Sequence, residues 1–222
     1  MRKDNETTSQ KHSSRLSLFP QHLEDLRRSG LSDDTIIEAG IKSVPPNRID
    51  KRLKFSIPGL ISMYEVPYPG NNGYCRYKAF YEEGHGQYKD GRKKPKYLTR
   101  KNAGNRLYMP PKVRPVLSDF SISLYFTEGE KKSLKACQEG LYCIGIPGLW
   151  NWKVKDEHEL IPDFDQIVLD GRIVHLVPDN DWLKPDRKGE QKNLKQAVCE
   201  LAYLLIDRGA NVCWVELPGG GA

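Results

Sequence analysis

The sequence predicts an α/β fold with a mainly parallel sheet, preceded by a small, β-rich α+β lobe. Two observations carry this prediction. From Lys54 to Pro111, short aromatic and β-branched runs are broken by Pro-Gly and Asn-Asn-Gly, as in antiparallel strands joined by turns. After Pro111, strand patterns alternate with helical patterns that end in glycine. That alternation implies parallel strands joined by right-handed crossovers.

The first lobe begins after a polar leader. Residues 1–15 are rich in Ser and Thr and show no periodicity, so we expect them to be disordered. Residues 20–30 predict a short helix closed by glycine, and residues 32–40 predict a second with Ser32 as its N-cap. Together they would make a helical hairpin. Extended runs follow at 55–58, 63–68 and 74–80. We therefore assign residues 16–112 to a helical hairpin plus a β-rich lobe.

The second domain, residues 113–222, is read from the alternating pattern. It predicts strands at 122–127, 141–146, 173–178 and 211–217, with helices at 130–139 and 191–208 closed by Gly140 and Gly209. The segment 151–172 is an insertion, in which residues 164–171 would add a strand and a turn. The result is a Rossmann-like arrangement whose sites belong at the carboxyl edge of the sheet.

Composition narrows the classes of function. The chain has 222 residues, 38% of them hydrophobic, which is enough for a core. Its 35 basic and 29 acidic residues give a net charge of +6, which favours nucleic acid over membrane as a partner. No apolar run approaches the ~20 residues of a membrane helix, and the start is unlike a signal peptide, so we expect a cytoplasmic protein. The five cysteines lack C-x-x-C spacing, which predicts reduced thiols and no zinc site.

Acidic residues stand where two predicted strands end. Glu128 leaves the first strand of the second domain, and Asp179 and Asp181 leave the third. Residues two apart in a strand face the same way, so both aspartates can approach one Mg²⁺ or Mn²⁺ ion. Glu128 would be a general base or third ligand, and Glu130 could join the cluster. The alternatives are a polar turn at Asp179–Asp181 and an ordinary acidic helix start at Glu128–Glu130.

Basic residues alternate with tyrosines through the first lobe. Such a mixture suits single-stranded nucleic acid, because lysine and arginine neutralise phosphates while tyrosine rings stack on bases. The residues that we assign to nucleic-acid or nucleotide binding are Arg76, Lys78, Lys96, Arg106 and, in the second domain, Lys131. For Lys89–Lys94 the alternative is a solvated loop with its tyrosines in the core.

These motifs carry a family resemblance. Strand-Glu128-Gly129-helix, strand-Asp179-x-Asp181 and a strand ending at Leu217–Gly220 resemble, over about residues 118–222, the Toprim domain of bacterial primases, topoisomerases and certain nucleases. The first lobe is similar to the amino-terminal lobe of bacterial-type primase cores. The elements that carry this are Arg76, Pro95-Lys96-Tyr97-Leu98 and Arg106-Leu107-Tyr108. The chain resembles more closely still a Toprim-like domain of unknown function, which is found in replication proteins of plasmids, phages and integrated elements. Its resemblance rests on Asn105–Tyr108, Thr127–Lys132 and Ile146–Trp152.

The resemblance implies a primase-like protein of mobile-element replication. Glu128, Asp179 and Asp181 would be catalytic and metal-binding, single-stranded DNA and nucleotides would be the substrates, and a replicative helicase or replication initiator would be the partner. The alternatives are a Toprim nuclease or nicking enzyme, and a noncatalytic DNA-binding adaptor. Lys131-Lys132 departs from the Glu-Gly-x-x-Asp pattern of replicative primases. An acid usually follows the turn at Gly219–Gly220, so we expect either a truncated domain or a missing third acid.

Overall fold

The structure is a computed structural model that describes residues 16–179 and 194–218. The predicted leader, residues 1–15, and Asp181 lie outside the described residues. The chain divides into two compact units, one up to Ala103 and one from Gly104 onward. Residues 104–112, which we assigned to the first lobe, are grouped with the second unit.

The first unit is built from helices and an antiparallel sheet. Its elements are α1 (Pro20–Arg28), α2 (Asp33–Glu38), β1 (Lys42–Val44), α3 (Ile49–Leu53), β2 (Leu60–Pro67), β3 (Cys75–Tyr81) and β4 (Tyr97–Thr99). The strands that the structure describes here lie in the order β1-β2-β3-β4. Both predicted helices are confirmed, and Ser32 Oγ accepts the N–H of Thr35 at 3.2 Å as the N-cap.

One extended run in this unit was predicted wrongly. Residues 55–58 are not a strand, and β2 begins only at Leu60. The reason is local: Gly59 has a φ of 74°, so the chain turns at Pro58-Gly59 before it enters the sheet. The short elements β1 and α3 were not predicted.

The sheet of the first unit is covered on both faces at β2. One face buries Met63, Tyr77 and Leu98 in a core shared with Leu53 of α3. On the other face, Tyr64 is fully buried and its hydroxyl donates to Asp25 of α1 at 2.8 Å. Burial therefore reaches β2 on both faces, as expected for an interior strand.

The second unit contains a parallel sheet. Its elements are β5 (Leu124–Glu128), α4 (Glu130–Gln138), β6 (Cys143–Ile146), β7 (Ile173–Val177), α5 (Leu194–Asp207) and β8 (Asn211–Trp214). The described strands lie in the order β6-β5-β7-β8, and all three pairings are parallel. The predicted fold class, a Rossmann-like α/β domain after a β-rich lobe, is confirmed. The strand predicted within 164–171 is wrong, because Pro162–Gln166 forms a 3₁₀ helix there.

The core of the second unit lies against β5. Leu124 and Phe126 are buried, and the Phe126 ring stacks on Phe164 of the 3₁₀ helix with centroids 5.8 Å apart. Trp152 is 1% exposed and joins the same core. Among the described helices, none has both the length and the apolar character needed to cross a membrane.

Candidate active site

Two of the predicted acids lie at the carboxyl edge of the parallel sheet. Glu128 is the last residue of β5 and pairs in register with Ile146 of β6. On the other side of β5, Thr127 pairs with Val177, so β7 reaches the same edge and Asp179 follows two residues later. Parallel strands end together at this edge, where open α/β sheets hold their ligands. Asp181, the third predicted acid, lies outside the described residues.

Two glycines allow the chain to turn sharply after Glu128. Gly129 has a φ of 89°, a backbone conformation that residues with a side chain rarely adopt. Its N–H donates to Ile146 O at 2.8 Å. Gly145 of β6 lies directly beneath this turn. A Cβ on Gly145 would come within 2.8 Å of Gly129 O and 2.9 Å of Ser133 Oγ. The start of α4 therefore sits against the sheet only because position 145 has no side chain.

The first turn of α4 carries three charged residues, Glu130, Lys131 and Lys132. Glu130, the possible extra ligand, is 2% exposed, so it is buried at the helix start rather than open at the edge. Lys131 is half-buried, and Lys132 is exposed. The Lys132 Nζ donates to Asp179 Oδ1, which joins the start of α4 to the end of β7 across 47 residues of sequence. The sequence analysis did not predict this ion pair.

The chemistry of these donors suits a hard cation. Glu128 and Asp179 offer only carboxylate oxygens, the ligands that Mg²⁺ prefers, and Asp179 already attracts a positive charge in Lys132. Within residues 16–179 and 194–218, however, no three His, Cys, Asp or Glu residues are grouped closely enough to hold a metal ion. A magnesium site of the predicted kind would therefore need Asp181 in addition to the two described acids.

An apolar pocket opens beside Glu128. Its walls come from the ends of β5 and β7, from Trp152, and from Val198 and Leu201 of α5. Apart from Thr127 and Glu128, the side chains that line it are nonpolar. Glu128 therefore has a wall of low polarity on one side.

The predicted nucleic-acid residues of the first unit form a basic strip, defined here as Arg76, Lys78, Lys96 and Tyr97. Arg76 and Lys78 lie at alternate positions of β3, so they share a face of the sheet. Their cationic groups lie 5.2 and 5.6 Å from the centre of the Tyr97 ring, on the neighbouring strand. Lys96 is exposed immediately before Tyr97. The structure thus places two of the predicted basic residues, Arg76 and Lys78, beside one aromatic ring.

Arg106, the remaining predicted binding residue, has a structural partner in the second unit. Its Nη1 donates to Asp163 Oδ1 at 2.7 Å, and the Leu107 N–H donates to Asp163 Oδ2 at 2.7 Å. Asp163 is buried, whereas the Arg106 side chain is 42% exposed. Arg106 therefore neutralises a buried carboxylate. The sequence analysis missed Asp163, whose acceptor role depends on partners more than 50 residues away.

Comparison with known proteins agrees with this architecture. The sequence profile of the family described as "Domain of unknown function (DUF3854)" matches residues 114–222. The crystal structure of the Aquifex aeolicus primase (zinc-binding and RNA polymerase domains) superimposes with a TM-score of 0.60 over 91% of this chain. The fold is primase-like. Sequence identity with that primase is 16%, and this chain spans about half of it, 51%. No curated protein matches the sequence.

Proposed function

We propose that this primase-like chain is a Toprim protein that binds single-stranded DNA and catalyses Mg²⁺-dependent nucleotidyl transfer in the replication of a mobile element. The observation that carries the proposal is that the neighbouring parallel strands leading to Glu128 and Asp179 end at the same edge of a sheet within a primase-like fold. The Toprim resemblance around these residues supports the same assignment. Mn²⁺ would serve in place of Mg²⁺, and a replicative helicase or initiator would be the partner.

Each residue at the edge has a proposed role. Asp179 and Asp181 would hold the metal, and Glu128 would either complete the ligand set or accept the proton of the attacking hydroxyl. When bound, the metal would neutralise charge at the transferring phosphate and favour deprotonation of that hydroxyl. Lys131, half-buried in the first turn of α4, binds a phosphate of the nucleotide. The adjacent apolar pocket excludes water from one side of Glu128.

The basic strip is the proposed surface for single-stranded DNA. Arg76, Lys78 and Lys96 would neutralise phosphates, and a base would stack at Tyr97. Replacing Arg76 or Lys78 with Ala should weaken binding about equally for all DNA sequences and reduce the salt dependence by about one phosphate contact each. Arg28→Ala removes the same charge from α1, where Arg28 is 77% exposed and pairs with Glu24, and is expected to leave the salt dependence unchanged.

The catalytic assignment is tested by synthesis and cleavage assays run side by side. Wild type, Asp179→Asn and Glu128→Gln are incubated with single-stranded DNA, labelled nucleotides and Mg²⁺ or Mn²⁺, and separately with supercoiled plasmid. Glu139→Gln is the matched control, since Glu139 is an exposed acid just after α4 whose described side-chain partners are Lys135 and Gln138. New oligonucleotides that disappear in both variants but persist in the control support primer synthesis. Nicking with the same dependence moves the assignment to a nuclease.

A second function is favoured by one observation. The Lys132 ammonium pairs with Asp179, the carboxylate that the catalytic proposal assigns to the metal. This pairing suits a noncatalytic DNA-binding adaptor that has kept the fold. If wild type is as inactive as the variants while all of them bind single-stranded DNA alike, the adaptor is the correct description and the catalytic proposal fails.

A further inference from the structure

The segment between β3 and β4 contains a small hairpin, defined here as the tyrosine hairpin, residues 87–93. Its two ends pair as an antiparallel bridge. Within it, the Tyr88 N–H donates to Arg92 O at 2.8 Å, and the Gly91 N–H donates to Tyr88 O at 2.9 Å. Gly91 has a φ of 80°, a conformation that favours glycine, so the chain reverses there. The sequence allowed a solvated loop at 89–94, and the structure gives a hydrogen-bonded hairpin instead.

A buried lysine holds the base of the tyrosine hairpin. Lys94 is 8% exposed, and its Nζ donates to Pro58 O. The same ammonium lies 5.4 Å from the centre of the Tyr81 ring and 5.8 Å from the centre of the Tyr88 ring. A buried ammonium is stabilised by such partners, so it stays between the two rings. Lys94 is therefore a positioning residue for Tyr88 rather than a group that reaches a phosphate.

The Tyr88 ring is open to solvent although Lys94 fixes its position. Tyr88 is 40% exposed, which is unlike a tyrosine packed in a core. The Arg92 guanidinium lies 5.7 Å from the centre of this ring, on a side chain that is 78% exposed. The hairpin also exposes Lys89 and Lys93, and its one carboxylate, Asp90, pairs with Arg92. An exposed aromatic ring among cations suits a base and its neighbouring phosphates.

The tyrosine hairpin contacts the face of the sheet opposite to the basic strip. Tyr81 comes three residues after Lys78 in β3, and residues an odd number apart in a strand face opposite ways. Tyr81 packs against the core of the first unit, whereas Lys78 lies beside the Tyr97 ring. Because Lys94 contacts both Tyr81 and Tyr88, the hairpin belongs to the Tyr81 side. The first unit thus has an aromatic ring among cations on each side of β4, a border strand of the described sheet.

We propose that the tyrosine hairpin is a second subsite for single-stranded DNA, at which Tyr88 stacks on one base while Lys89, Arg92 and Lys93 neutralise neighbouring phosphates. The base stacks on the Tyr88 ring or on the guanidinium plane of Arg92, both of which are surfaces that bases use in single strands. This inference rests on the proposed function, because it takes single-stranded DNA as the ligand of the first unit.

The test is the affinity of the whole chain for a fluorescent oligodeoxythymidylate of about 16 nucleotides, measured by anisotropy in EDTA. Tyr88→Ala is expected to bind about tenfold more weakly with an unchanged salt dependence, since the ring carries no charge. Tyr88→Phe keeps the stacking face and should bind within about twofold of wild type. Lys93→Ala should reduce the salt dependence by about one phosphate contact. Tyr203→Ala is the matched control, because Tyr203 is a 74% exposed tyrosine on α5 and its loss should leave the affinity unchanged.

A double variant tests whether Tyr88 holds a base of its own. If Tyr88 and Tyr97 stack on different bases, the losses of affinity in Tyr88→Ala and Tyr97→Ala should multiply when the two changes are combined. A double variant that binds no more weakly than Tyr97→Ala overturns the second subsite, and so does wild-type affinity in Tyr88→Ala. A loss in Tyr88→Phe or in Tyr203→Ala as large as that in Tyr88→Ala overturns the stacking role. The absence of oligonucleotide binding by wild type overturns the inference as well.

The outcomes separate this inference from the proposed function. If no primer is made but Tyr88→Ala weakens oligonucleotide binding as expected, the second subsite stands and primer synthesis fails. If primer synthesis depends on Asp179 while the affinity for the oligonucleotide is indifferent to residue 88, the function stands and the second subsite fails.

Discussion

Replacing Gly145 with Ala should displace the start of α4 from the sheet. The added Cβ would lie 2.8 Å from Gly129 O, where ordinary contact begins at 3.4 Å, so backbone atoms must separate by about 0.6 Å. Ser133 Oγ, at 2.9 Å, crowds the same atom. Overpacking of this kind costs about 1–3 kcal/mol. With a urea slope of about 2 kcal/mol per molar, the midpoint of unfolding should fall by about 1 M.

Tryptophan fluorescence is a selective assay for this effect, since all four tryptophans of the chain lie after Gly104. Gly86→Ala is the control for adding a methyl group where there is room for it. A Cβ on Gly86 would meet nothing within 4 Å, and the φ of Gly86 is not positive. The free energy of unfolding of that variant, followed by far-UV circular dichroism, should stay within about 0.5 kcal/mol of the wild-type value. A Gly145→Ala protein with the wild-type midpoint would refute the claim that α4 rests on a bare backbone at residue 145.

Three further predictions follow from buried groups. Asp163→Asn should destabilise the second unit by about 2 kcal/mol, seen as an earlier urea midpoint, because Arg106 loses its charge partner; an unchanged midpoint would contradict this. Burial lowers the pKa of His22 to about 4 from 6.5, so the unfolded chain binds more protons between these values. Stability should therefore fall as the pH drops from 6.5 to 4, by up to about 1.4 kcal/mol per pH unit, and His22→Gln should flatten that dependence in circular dichroism melts. Burial also raises the pKa of the Cys143 thiol, whereas Cys213 is exposed. Iodoacetamide should therefore alkylate Cys213 before Cys143. Equal alkylation rates of the two cysteines, measured by mass spectrometry, would refute this.

Much of the fold follows from local signals in the sequence. Ser32 and Gly140 mark helix ends, and the alternation after Pro111 gave the order of β5, α4, β6, β7, α5 and β8. Local signals failed where the elements were short. Three residues at Lys42–Val44 become a strand only by pairing with β2, and the apolar run at 55–58 is diverted by the turn at Pro58-Gly59. Tertiary pairing decided the first case, and a local turn decided the second.

The sequence predicted which acids stand at the candidate site, but it did not predict the ion pairs of the second unit. Glu128 and Asp179 could be placed at one edge because parallel strands end together, whatever their spacing in sequence. The pairing of Lys132 with Asp179, and of Arg106 with Asp163, spans 47 and 57 residues. No periodicity links residues that far apart, so such contacts appear only once the chain is folded.

The pairing of Tyr108 with Gly145 also bears on where another strand can join the parallel sheet. Each residue donates its N–H to the carbonyl of the other at 2.8 Å, which covers part of β6 at one border of the described sheet. A border strand with unpaired backbone groups invites pairing with another molecule. The segment before β5 thus acts as a cover for one side of the sheet. The backbone groups of Gly145 that pair with Tyr108 are therefore not open to a strand from a second molecule.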